Sequence, residues 1–389
     1  MDQVLNRKTI KATLLTTAGT AVAVCLLAAC GSSGSSSSSS ESTPSGASAQ
    51  VIADQKSLMS AAGVGYKSPP TSGPKPETGK NIWVLSCSQS IPSCSYPASK
   101  TVEAAQALGW KTTLYDTKLD PARIAEGYRQ AIASGANGIA EYSMDCSISK
   151  AGLLAAKQAH IPVVAAEAFE DCGGPNLFSA VVEYTQGPFG VWWTKYGAAQ
   201  ATNVIVGTGA KAQVVTITQG DFPMLKPTLA GFKAELKRSC SGCSVVQDLA
   251  WTTPDIGEKL QTKVQDSLVR NPTANSIYVA YDFLALGPEA AIRTSGRSKG
   301  LFVATAEGQA STMDWLRNGT IHGAGVGIPQ GWEAYQTIDT LNRVMQGQKQ
   351  APSGMGIQGY EKGHNIPSTG RWEPPIDYRA VYLKTWGVK

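Results

Sequence analysis

Gly138-Ile-Ala-Glu-Tyr142, then Ser147 to His160, then Ile161-Pro-Val-Val-Ala-Ala166: this stretch decides the fold. Two short, nearly continuous apolar runs flank a segment of helical length. Runs of that kind read as strands buried on both faces, the mark of a parallel sheet covered by helices. The same rhythm extends outward. Upstream, Asn81 to Ser86 and Lys111 to Tyr115 read as strands, and Pro97 to Leu108 as a helix closed by Gly109. Asp120-Pro121 opens another helix with a side-chain cap and a proline at its first position. Ile124, Tyr128, Ala131 and Ile132 fall on one face of it, and Gly135 ends it. Phe178 to Val182 reads as a further strand.

Downstream, helices at Pro188–Val206, Leu225–Arg238, Ile256–Val269, Leu284–Thr294, Ser311–Arg317 and Gln330–Gln346 alternate with strands. The strands are Gln213–Thr218, Ser244–Ala250, Ser276–Ala280, Leu301–Thr305 and Ile321–Val326. So many strands favour two α/β lobes, each with its own parallel sheet flanked by helices, over one large sheet.

The N-terminus carries a different message. Arg7, Lys8 and Lys11 precede an apolar stretch from Ala12 to Ala29, the layout of a secretory signal. Thr16, Thr17, Gly19 and Thr20 interrupt that stretch and make it a poor membrane span. Leu27-Ala28-Ala29-Cys30, followed by Gly31, resembles the bacterial lipobox, in which the cysteine thiol receives a lipid and the signal is cleaved before it. Gly31 to Ser40 is nearly all Ser and Gly, a flexible spacer. The expectation is an extracytoplasmic protein, lipid-anchored through Cys30 to the outer face of the cell membrane. Residues 1–29 are then signal peptide. Residues 30–80 are linker, with one helical turn near Gln55 to Ala62. Residues 81–184 plus 328–352 form an N-terminal lobe, and 185–327 plus 353–389 a C-terminal lobe.

Composition limits the partners. Hydrophobic residues make up 42% of the 389-residue chain, and the net charge of +5 is too mild for nucleic acid. Of eight cysteines, Cys25 leaves with the signal and Cys30 takes the lipid. Six remain, an even number that favours disulfides in an exported chain. Proximity pairs Cys87 with Cys94, Cys146 with Cys172, and Cys240 with Cys243, although six cysteines allow fifteen connectivities. Cys240-Ser-Gly-Cys243 follows the end of a helix instead of opening one, so it reads as a structural staple and not a redox pair. The three histidines (His160, His322, His364) stand away from the cysteine pairs, so no metal site is expected. No cofactor is expected either.

In open α/β sheets ligands bind beyond the carboxyl ends of the strands. There this chain repeats acids, amides and aromatic rings, a set suited to a small polar ligand such as a sugar. The candidate ligand contacts are Gln89 and Tyr96 after the first strand, then Glu141, Tyr142 and Asp145, then Glu167 and Phe169. In the second half they are Lys226, Trp251, Tyr281, Asp282 and Glu307.

Over residues 80–350 the chain resembles the ribose-type solute-binding proteins of ABC importers, the type I periplasmic binding proteins. The resemblance rests on Glu103-Ala-Ala-Gln-Ala-Leu-Gly-Trp110, Ala159-His-Ile-Pro-Val-Val164, Leu229-Ala-Gly-Phe-Lys-Ala234 and Tyr281-Asp-Phe-Leu-Ala-Leu-Gly287. It implies two lobes joined by three crossovers, with a solute clamped between them and delivered to an ABC permease. It also implies that Trp251 stacks on the ligand, and that Glu141, Glu167, Asp282 and Glu307 occupy polar ligand positions. Ala168 and Lys226 stand where the family has arginines, and Tyr281 where it has an asparagine. Arginine makes rigid bidentate contacts that lysine does not. The hydrogen-bond set therefore differs from that of a ribose binder and suits a ligand that donates more than it accepts: a polyol, an amine-bearing sugar or a phenolic ring.

The expected function is capture of a small sugar-like solute by a monomer for a membrane permease. Two alternatives stay open: a receptor of the same fold that signals to a membrane partner, and a binder of a small aromatic compound. No G-x-S-x-G, H-E-x-x-H or Walker loop is present, so no enzyme is expected.

Overall fold

The computed structural model describes residues 46–388. The expected signal and Cys30 lie outside the described residues. The first element is α1 (Ala49–Met59), capped by Ser48, whose side chain accepts from the Val51 N–H.

The first lobe is built on β1 (Asn81–Ser86), β2 (Lys111–Asp116), β3 (Gly138–Tyr142), β4 (Val163–Ala166) and β5 (Ala180–Val181). All pair in parallel, in the order β2-β1-β3-β4-β5. Between the strands run α2 (Pro92–Ala107), α3 (Pro121–Ala133) and α4 (Cys146–Gln158). The chain then crosses to a second lobe through α5 (Phe189–Gly207). There β6 (Gln213–Gln219), α6 (Lys226–Ser239), β7 (Ser244–Trp251), α7 (Glu258–Arg270), β8 (Ser276–Val279), α8 (Pro288–Thr294), β9 (Phe302–Glu307), α9 (Ala310–Asn318) and β10 (His322–Gly327) follow. α10 (Gln330–Met345) returns to pack on α2, β3 and β4 of the first lobe. β11 (Gln358–Glu361) crosses again and lies antiparallel on β10, so the second sheet runs β11-β10-β9-β8-β6-β7. α11 (Tyr378–Trp386) ends the described chain on α10.

Four expectations need correction. The first helix starts at Pro92 and not at Pro97. A proline at the first helical position costs nothing there. Pro97 inside the helix has no N–H for the Ser93 carbonyl, which accepts instead from Gln330 Nε2 at 3.5 Å. The strand expected over Phe178 to Val182 shrinks to two residues, because the edge of the sheet offers few partners.

Residues 46–80 are more than linker. α1 buries Val51, Leu58 and Met59 against α5 and β11. The carbonyls of Ser72 and Pro74 then accept from Arg343 and Asn342 of α10. The tail after Pro352 belongs to both lobes. Trp372 is buried beside Gly308 and Gly327 of the second lobe. Tyr378 and Trp386 stack on Trp332 and Tyr335 of α10.

Disulfides join Cys87 to Cys94, Cys146 to Cys172 and Cys240 to Cys243. The first two hold the segments after β1 and β4 against their neighbouring helices. Cys146, Glu170 and Cys172 lie close enough to suggest metal ligands, but the two thiols are bonded to each other. Among the described residues no helix is long and apolar enough to cross a membrane.

Candidate binding site between the lobes

Three non-glycine residues at strand ends adopt left-handed backbone: Ser143 after β3 (φ 55°), Glu167 after β4 (φ 50°) and Glu307 at the end of β9 (φ 56°). That conformation is unfavourable for residues with a Cβ, and such strain gathers at functional sites. All three line one cavity between the lobes, as does Leu119 after β2 (φ 54°), with about 400 Å³ of empty space, its mouth included. The first lobe contributes Ile91, Ser93, Cys94 and Leu119, and the second Gln219, Phe222, Met224, Leu225 and Tyr281. Trp193 of α5 completes the wall.

The polar atoms of the wall are mostly spent on one another. Ser143 Oγ donates to Glu167 Oε2 at 2.9 Å. Ser93 Oγ, from the opposite lobe, donates to Glu307 Oε2 at 2.5 Å. Gln309 Nε2 donates to the same oxygen at 3.0 Å. Tyr281 Oη donates to Gln219 Oε1 at 2.7 Å. Glu167 is 4% exposed, yet its Oε1 has no donor.

Behind Glu167 lies Glu333 of α10, whose oxygens accept from the hydroxyls of Tyr142 and Tyr184. Burial raises the pKa of Glu167, and the charges of Glu333 and Glu307 raise it further. Burial also raises Glu307, with the Ser93 and Gln309 hydrogen bonds opposing.

Three of the twelve expected contacts, Glu167, Tyr281 and Glu307, stand in this wall. The other nine do not. Glu141 points into the first lobe, where Tyr128 and Ser149 donate to it, and burial pushes its pKa up to about 8. Tyr142 lies behind the cavity on Glu333. Asp145 accepts from the Phe169 N–H at 2.9 Å, and burial raises it to about 6. Phe169 packs on Phe189 at the crossover, with ring centroids 5.2 Å apart. Gln89 donates to Ser86 Oγ at 2.7 Å within its own loop.

Tyr96 lies under the Arg371 guanidinium at 3.5 Å and donates to Glu373. Lys226 is exposed at the start of α6. Asp282 accepts from the Gln309 N–H and Thr312 Oγ1 at the start of α9, and burial, then Glu307, raise it to about 7. Trp251 is buried behind the wall, packed on Phe283 and Tyr281 at 4.9 and 6.4 Å. It supports Tyr281 and does not itself face the cavity.

A family model described as periplasmic binding protein domain matches residues 84–349. The chain belongs to the periplasmic binding protein family. The family is extracytoplasmic and its members bind solutes without catalysis. Solved structures similar to this binding protein show the type I fold. One is an ABC transporter solute-binding protein from Agrobacterium vitis bound with α-D-tagatopyranose, 17% identical at a TM-score of 0.64, covering 74% of this chain and 96% of that one. Another, from Actinobacillus succinogenes with bound D-allose, is 15% identical at 0.63 and covers 73% and 98%. A third, from Mycobacterium smegmatis with bound glycerol, is 19% identical at 0.63 and covers 76% and 99%. No curated protein matches the chain.

The cavity wall also contains residues outside the twelve expected contacts. Ser143 and Phe222 stand in strand-end segments whose position was the available signal. Trp193 had none, since an aromatic on a helix face reads as core. Ser93 falls in the first turn of α2, ahead of the helix start that the sequence predicts.

Proposed function

We propose that this binding protein is anchored by a lipid on Cys30, captures one small sugar-like solute between its lobes and delivers it to an ABC permease. The observation that carries the reading is the convergence of four left-handed residues, Leu119, Ser143, Glu167 and Glu307, on one cavity to which both lobes contribute. Backbone strain held on both sides of a cleft suits a preorganised ligand site.

The similar structures with bound tagatopyranose, allose and glycerol support a polyhydroxylated class of cargo. The test is a thermal-shift screen of the chain against aldoses, ketoses, polyols and amino sugars. A ligand well above its dissociation constant raises the melting temperature through linkage. A shift confined to one class supports the reading, and none in any class overturns it. For the anchor, labelled palmitate incorporated by wild type and lost in Cys30→Ala is the expected result. Equal labelling of both would remove Cys30 from that role.

A further inference from the structure

The cavity wall is unusual for a site that holds a neutral sugar. It carries two buried carboxyls, Glu167 and Glu307, and no lysine, arginine or histidine. The hydroxyls of Ser93, Ser143 and Tyr281 are all spent within the wall, on Glu307, Glu167 and Gln219. What the wall offers is therefore acceptors, and one carboxyl among them, Glu167, keeps its Oε1 buried against Glu333 with no hydroxyl or N–H donating to it. The remaining surface is apolar and comes from both lobes: Ile91 and Leu119 face Phe222, Met224 and Leu225 across the cleft, with Trp193 between. A sugar with a hydroxyl on every carbon would leave most of those groups against hydrocarbon, at a cost for each unmade hydrogen bond.

Glu307 has a compensating charge nearby. Arg371 lies behind it, donating to Gln330 Oε1 at 2.8 Å, and its charge opposes the rise that burial gives the Glu307 pKa. Glu167 has none. Around it stand the carboxyls of Glu333 from α10 and Glu307 from β9, which raise its pKa, the hydroxyls of Ser143 and Tyr142, which oppose that rise, and the phenol of Tyr184 after β5. Tyr66 adds a further phenol beside Glu333. Tyr142 and Tyr184 donate to both oxygens of Glu333, and the Glu167 and Glu333 carboxyls meet in a hydrogen bond, so Glu167 is the member of the pair at the cavity wall whose proton a cation can replace. A buried carboxyl in such company keeps a proton or takes a cation in its place.

We propose that the site selects a compact organic cation, its ammonium held at Glu167 and its largely apolar body clasped between the two lobes. The inference rests on the reading of solute capture between the lobes and, within it, favours an amine over the neutral polyhydroxylated class. Binding exchanges the carboxyl proton of Glu167 for the ammonium. The proton leaves to solvent, and no covalent bond to the ligand forms or breaks.

The experiment is titration calorimetry on the full chain with matched probes: trans-4-aminocyclohexanol against cyclohexane-1,4-diol, and D-glucosamine against D-glucose. At neutral pH at least one amine is expected to bind about tenfold or more tightly than its hydroxyl partner, as a charge-assisted hydrogen bond replaces a neutral one. Comparing two buffers of different ionisation enthalpy should show proton release on amine binding, and amine affinity should rise from pH 5.5 to 7.5. Glu167→Gln should bring the amine-to-hydroxyl ratio towards one. Proton release by the wild type tests the same point without relying on the variant's folding. Equal affinities within each pair, an absence of proton release, or binding of the hydroxyl probes alone would overturn the cation while leaving solute capture intact. Silence from all four probes, with a shift from a neutral sugar in the wider screen, would do the same. Silence from every compound in both experiments would remove solute capture as well.

Discussion

Glu141 shows how a single residue changes meaning once its neighbours are known. It stands at a strand end among acids, and sequence alone makes it a ligand contact. In the fold it lies in the first lobe, its oxygens taken by Tyr128 and Ser149, and burial raises its pKa to about 8. Strand alternation does not tell the two faces of β3 apart, because both are buried. A carboxyl raised in the folded state contributes stability that is full below its unfolded pKa and lost as pH rises through about 8. Glu141→Gln should therefore flatten the fall in melting temperature between pH 5 and pH 8.5, a difference on the order of a few kcal/mol, with ligand affinity unchanged. Thermal unfolding across that range checks it, and parallel wild-type and variant curves would count against it.

At the scale of elements, α5 and α6 cross through glycine. A Cβ on Gly197 would lie 1.9 Å from the Thr228 carbonyl oxygen, and one on Gly231 2.0 Å from that of Thr194. Backbone stands on the far side of both contacts, so neither can yield cheaply. Gly231→Ala is expected to destabilise the second lobe by about 1–3 kcal/mol or more, read as a lower urea midpoint. Gly231 belongs to the phrase Leu229-Ala-Gly-Phe-Lys-Ala234, whose resemblance to the family thus has a physical reason. α3 was legible for a simpler cause: Asp120 Oδ1 accepts from the Ala122 and Arg123 N–H groups, as its position before Pro121 implied. Asp120→Ala should cost about 1 kcal/mol of stability in the same assay. An unchanged midpoint in either variant would contradict the corresponding contact.

Across the whole molecule, the C-terminal tail joins what the cleft divides. Arg371 donates to Gln330 and Gln309, and its guanidinium lies 3.5 Å from the centroid of the Tyr96 ring on the first lobe. Glu373 accepts from Tyr96 and from Tyr378. The tail therefore fastens α2 to the start of α9, across the mouth of the hinge. A desolvated cation–π contact contributes about 2 kcal/mol. Arg371→Ala should open the lobes, seen as a larger radius of gyration in solution scattering. Ligand affinity should fall by about tenfold, because less of the protein is closed. If neither quantity changed, the tail would only be packing.

The sequence by itself determined the two-lobed α/β class, because buried parallel strands and the helices between them are local patterns of apolarity, length and capping. It also marked the segments where a site had to lie, since those follow from strand direction. Which residues in those segments meet was decided only by tertiary structure. Ser93 reaches Glu307 from the opposite lobe, across 214 residues of chain. Trp251 withdraws behind Tyr281, and Glu333 comes up beneath Glu167 from a helix that follows the second lobe. Contacts of that range depend on how two separately built sheets are set against each other, and no local pattern encodes that angle.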